Sequence, residues 1–87
     1  MIPQLLQEAI DDAKEPGDLM PTEAAIAAAS WLIDRLGDRA PHVTVACSGR
    51  VDIGGDGTWW LVYDDGIEIV RRRGLSVRSR WLSPPSV

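Results

Sequence analysis

Apolar positions recur along this chain with two different periods, and the period changes near residue 42. Ahead of that point Ile2, Leu5, Leu6, Ala9, Ile10 and Ala13 lie three and four residues apart, one stripe of a helix. Pro3 suits the first helical position, where a missing N–H costs nothing. Glu15-Pro16-Gly17 closes the run, because the residue before a proline is pushed out of helical conformation. The spacing predicts a helix over Pro3 to Lys14. A second helix is expected behind Thr22, a good N-cap, with Glu23 favourable against the helix dipole. It runs to Leu36 and stops at Gly37. Ala25, Ile26, Ala29, Leu32, Ile33 and Leu36 give it a broad apolar arc, so it should be the more buried of the two, with alanines that let it lie close to a sheet.

Beyond residue 42 the period is two. Val43 to Cys47 alternates, Ser48-Gly49 turns, and Arg50 to Ile53 alternates again. Gly54-Gly55-Asp56-Gly57 leads into Thr58-Trp59-Trp60-Leu61-Val62-Tyr63, followed by Ile67 to Arg71 and Leu75 to Leu82. Asp64-Asp65-Gly66 and Arg72-Arg73-Gly74 read as matched three-residue loops, each ending in a glycine at a left-handed bulge position. That length fixes a register. It sets Tyr63 opposite Ile67, Trp59 opposite Arg71 and Glu68 opposite Arg78. One face then gathers Trp59, Leu61, Tyr63, Ile67, Ile69, Leu75 and Val77, with Trp81 on its margin, and should lie under the helices. The far face holds Trp60, Val62, Val70, Ser76, Glu68 and Arg78. The expected fold is α+β: two N-terminal helices packed on one face of a four- to five-stranded antiparallel meander. It is one domain over residues 1–87, with a helical part at 1–36, the meander at 43–82 and a flexible tail at 83–87.

Composition narrows the picture. With 87 residues and 45% apolar content, the chain has room for one small core. Its longest apolar run, Ala24 to Ala29, is far too short to cross a bilayer, and Gln4, Glu8, Asp11 and Asp12 interrupt any leader-like opening. Cys47 is the only cysteine and His42 the only histidine, which argues against an internal disulfide and a single-chain zinc site. A cytoplasmic location follows as the expectation. The net charge of −4 is unevenly spread: residues 1–42 hold eight acids against three bases, and residues 43–87 hold five against six. Arg71, Arg72, Arg73, Arg78 and Arg80 follow Ile69 with no acid among them. Two surfaces of opposite sign are expected, not a wholly basic nucleic-acid binder.

Candidate chemistry is sparse. Gly54-Gly55-Asp56-Gly57-Thr58 resembles the GGDGT signature of the lipid kinase and NAD kinase families. That resemblance implies a catalytic role for Asp56 and nucleotide contacts at Gly54, Gly55, Gly57 and Thr58. A phosphate cradle wants a helix N-terminus next, whereas Trp59 to Tyr63 is strand-forming, so the residues favour a glycine-rich hairpin turn. Asp11-Asp12 and Asp64-Asp65 are adjacent carboxylates, the second pair in a turn that suits Asp. Asp52 and Asp56 lack the spacing of a calcium loop. His42 and Cys47 stand at the two ends of one strand, roughly 16 Å apart at about 3.3 Å per residue, too far to act as a nucleophile pair. Cys47 reads as a small buried apolar residue. No catalytic set, metal site or cofactor site emerges.

The order of a helix, Pro-Thr-Glu-Ala-Ala-Ile at 21–26, Pro-x-Val at 41–43 and a glycine-punctuated meander resembles a recurrent class of small bacterial and phage α+β proteins. Some members of that class lie near toxin–antitoxin genes; the resemblance implies the fold and carries over no functional residue. Function therefore rests on the far sheet face. Trp60, Val62 and Val70 make an apolar centre there, with Arg72, Arg73, Arg78 and Arg80 around it, the makeup of an interface. The expectation is a non-enzymatic protein-binding regulator or inhibitor, antitoxin-like or phage-type, that engages another protein or a second copy of itself. The alternative is a nucleic-acid-binding module that uses the arginine cluster, and no membrane partner is expected.

Overall fold

The computed structural model describes residues 2–13, 19–37, 42–55 and 57–83. Two helices, α1 (Gln4–Asp12) and α2 (Glu23–Leu36), precede five strands: β1 (His42–Val45), β2 (Val51–Gly55), β3 (Thr58–Tyr63), β4 (Gly66–Arg73) and β5 (Ser76–Leu82). The strands pair antiparallel in the order β1-β2-β3-β4-β5. This is an α+β meander with its helices on one face, as the hydrophobic periods predict. The expected tail beyond Ser83, and Lys14 at the end of the first helical run, lie outside the described residues.

Both helices start where the sequence places them, with one shift. Pro3 sits at the N-cap of α1 in extended conformation (φ −57°, ψ 147°), one position earlier than expected. At the head of α2 the Thr22 hydroxyl oxygen accepts the Ala25 N–H at 3.2 Å and donates to Asp64 Oδ1 at 2.6 Å. One side chain therefore caps the helix and ties it to the β3–β4 turn.

α1 lies over β1, and α2 crosses β2, β3 and β4. Between them sits a core of Leu6, Ala25, Ala29, Leu32, Val51, Ile53, Val62 and Ile67, all buried. Its sheet side is almost wholly β-branched. Such residues are stiff and pack as a low, even surface, which lets an alanine-rich helix approach closely. Each fully buried aliphatic side chain contributes about 1.5–3 kcal/mol of transfer free energy.

The register departs from the loop-based expectation at both hairpins. Tyr63 pairs with Gly66 and Leu61 with Glu68, so the β3–β4 loop is the two residues Asp64-Asp65. Arg73 pairs with Ser76, so the β4–β5 loop is Gly74-Leu75. Gly74 has φ 58° at the first loop position, the residue and place that a type II′ hairpin requires. Glu68 pairs with Trp81 rather than Arg78, and Arg78 pairs with Arg71. A register change by an odd number of residues turns a strand over. Two such changes in succession turn β4 over and leave β3 and β5 related as expected. Ile67 and Ile69 therefore share a face with Trp60 and Val62, and the helices cover that face.

Cys47 also departs from expectation. β1 ends at Val45, and Cys47 is exposed in the turn before β2, where its carbonyl oxygen accepts the Leu19 N–H at 3.0 Å.

Candidate binding surface

Alternation along the strands decides which side chains reach the uncovered face. On β3 these are Trp59, Leu61 and Tyr63; on β4, Glu68, Val70 and Arg72; on β5, Val77, Ser79 and Trp81. No described helix or strand lies over them. Trp59 and Trp81 remain 43% and 50% exposed, high values for indoles in a chain this small.

Each tryptophan lies over a glycine of another strand. A Cβ added to Gly54 would stand 2.6 Å from Cη2 and Cζ3 of Trp59, its cross-strand partner. A Cβ on Gly66 would collide with the Trp81 ring in the same way. Gly66 is thus needed for the space above it, not for a positive φ. Trp81 also stacks on Tyr63, with ring centroids 5.8 Å apart and planes 21° from parallel. The Tyr63 hydroxyl donates to Glu68 Oε1 at 3.4 Å. At the rim Arg50 forms a two-pronged pair with Asp52, Nε to Oδ1 at 2.6 Å and Nη2 to Oδ2 at 3.0 Å. The Asp52 carboxylate raises the Arg50 pKa above its ordinary value through that hydrogen bond. The face thus has an aromatic centre and a charged rim, both held in fixed positions.

The residues first expected on the binding face are divided by the structure. Val70 is there, half-buried, and the alternation brings Arg72 with it. Trp60 and Val62 are on the helix side, Val62 fully buried and Trp60 packed against the core. Arg78 and Arg80 do share a face with Trp60, as expected, but it is the covered one: Trp60, Ile69 and Arg80 form a single cross-strand row. Arg73 ends β4 beside the turn. Trp59, Leu61 and Tyr63 are expected in the core, with Trp81 on its margin, and the reversal of β4 is what frees them. The reversal against β3 is set by the two-residue loop Asp64-Asp65, and the signal for the second register change is Gly74, which fits the first position of a two-residue loop as well as the last of a three-residue one.

Residues 71 to 80 are exposed throughout, so the end of β4 and most of β5 project as an arm beyond the helices. On the helix side of this arm Arg71 and Arg78 are direct cross-strand partners, with Arg80 two residues further along. A hollow of about 270 Å³ is lined by Ile69, Arg71, Arg78, Ser79 and Arg80. Among the described residues no carboxylate pairs with these arginines; the ion pair there is Arg50–Asp52.

The Gly54-to-Thr58 stretch connects two antiparallel strands. Gly54 and Gly55 finish β2, Gly57 turns with φ 72°, and Thr58 opens β3, with a strand where the kinase-type signature has a helix. Asp56 lies outside the described residues. Among them no three His, Cys, Asp or Glu side chains group as metal ligands, and no helix is long and apolar enough to cross a membrane. No protein-family model, curated protein or solved structure matches the chain.

Proposed function

We propose that this chain is a small non-enzymatic protein-binding regulator and that the uncovered sheet face is its interface. The observation that carries this reading is the aromatic strip of Trp59, Tyr63 and Trp81, which no described element covers, while the helices bury Val51, Ile53, Val62 and Ile67 on the opposite face. An apolar centre with a charged rim is the usual composition of a protein interface. A half-exposed indole that the chain does not bury itself is the kind of residue that dominates binding energy.

As its occupant we propose a second copy of this chain. Glu68 and Arg72 stand four residues apart on β4, about 13 Å at the rise of an extended strand. Consider a two-fold axis lying between the two sheets, perpendicular to the strands and above Val70. It sets Glu68 opposite Arg72 of the second copy and Trp81 opposite the second copy's exposed Val77. An axis parallel to the strands instead sets Glu68 against Glu68, which repels. Charge selects the first arrangement, and isologous contact is the commonest form of oligomer.

Sedimentation equilibrium tests it. The wild type should associate, Trp59→Ala and Glu68→Arg should each weaken association at least tenfold, and Glu68→Arg combined with Arg72→Glu should recover it. A wild type that stays monomeric at millimolar concentration, or a double variant no better than the singles, rejects this arrangement.

A further inference from the structure

The outer edge of β5 offers a second feature, separate from the sheet face. β5 is the last strand of the sheet, and its seven residues present alternate N–H and C=O groups to no further described strand. On its helix side it displays Arg78 and Arg80, with Arg71 directly across from Arg78. Like charges directly opposite each other destabilise a sheet, and the described residues supply no counter-charge. On the other side of the same strand stand Val77 and Trp81, both exposed. Among the described residues this edge therefore has no strand partner and no counter-charge, and it is half apolar.

We infer that the β5 edge binds an extended acidic segment of another protein, which adds to the sheet as a sixth, antiparallel strand. The row positions dictate its pattern. Residues opposite Arg80 and Arg78 are acidic, and their carboxylates reach the hollow between Arg71, Arg78 and Arg80. Residues opposite Leu82, Trp81 and Val77 are apolar. Read from its N-terminus, the segment is apolar, apolar, acidic, any β-former, acidic, apolar. Backbone pairing supplies general affinity and the alternate side chains supply selectivity, as in other strand-addition sites. A second copy suits this edge poorly, because antiparallel β5–β5 pairing centred on Arg78, Ser79 or Arg80 would set arginine against arginine. The inference rests on the protein-binding class proposed above but not on the sheet face, since face-to-face association leaves both β5 edges free.

The probe is a blocked peptide, Val-Leu-Glu-Thr-Glu-Val, titrated into the isotopically labelled protein while the backbone amides of β5 are followed. Binding should shift and protect alternate β5 amides, and replacing both glutamates of the peptide by lysine should weaken it at least tenfold. The variant Arg78→Glu/Arg80→Glu should reverse that preference, while Arg35→Gln, a charge loss on α2, should leave it intact. Equal binding of the Glu and Lys peptides overturns the inference, as does undiminished binding of a peptide N-methylated at its central residues. Binding of a labelled single-stranded oligonucleotide to the arm, with none by the peptide, overturns it in favour of a nucleic-acid ligand. Loss of self-association in Trp59→Ala with peptide binding unchanged, or the reverse, separates failure of the face from failure of the edge.

Discussion

Thr22 Oγ1 and Asp64 Oδ1 are 2.6 Å apart, and that bond joins the N-terminus of α2 to the turn between β3 and β4. The hydroxyl is used twice, since its oxygen also accepts the Ala25 N–H. The two residues are 42 apart in sequence, so this is a long-range tie between the helical layer and the sheet.

Thr22→Ala should therefore cost more than an ordinary cap, about 2 kcal/mol, at the upper end of the usual range. Asp64→Ala should cost about 1 kcal/mol, and the double variant less than the sum of the two by about 0.5–1 kcal/mol. Denaturant unfolding of the four proteins measures this. Strict additivity would mean that the bond is not formed in solution.

Gly54 gives a second prediction. In Gly54→Ala the new methyl occupies the place of the Trp59 indole, which must swing off the sheet. The expected outcome is about 1 kcal/mol of lost stability, as for modest overpacking, with a changed Trp59 indole N–H resonance. An unchanged resonance would show that the ring does not rest there.

Much of this fold was legible from the sequence, and the failures trace to single residues. Thr22 and Gly37 bound α2 as expected because capping chemistry is local. The alternation of Val43, Val45, Val51 and Ile53 was equally plain. What could not be read was loop length, because a glycine beside a hairpin serves either as the first residue of one turn or as the last of another. That ambiguity holds at Gly74, while Gly66 opens β4 beneath the Trp81 ring instead of closing the turn, and the two together turned β4 over, and with it the assignment of Trp59 and Trp60.

Arg71 and Arg78 face each other across the arm, and a charge change should register there as stability. Arg78→Glu replaces a repulsive cross-strand pair with an attractive one and should stabilise the protein by about 0.5–1 kcal/mol. The gain should shrink in high salt, because both side chains are exposed. A loss of stability at low salt would place Arg78 away from Arg71.

Trp59 and Trp60 are neighbours in the chain and opposites in the fold, so one pair of substitutions tests both the register and the proposed interface. Trp60 packs on the core beside Ile69 and opposite Ile53. Trp60→Ala leaves a cavity under α2 and should cost about 3 kcal/mol, the low end for a tryptophan because its ring is only partly buried. Trp59 meets Gly54 below and solvent above, so Trp59→Ala should cost about 1 kcal/mol of folding stability. Its larger effect should fall on self-association, where removal of a central indole weakens binding by about 2 kcal/mol. Thermal melts at a concentration that keeps the protein monomeric isolate the folding terms, and sedimentation gives the association term. If Trp59→Ala unfolds the protein and Trp60→Ala spares it, β3 is turned over and the aromatic face belongs under the helices. If both variants fold but Trp59→Ala associates like the wild type, the register stands and the open face is not where two copies meet.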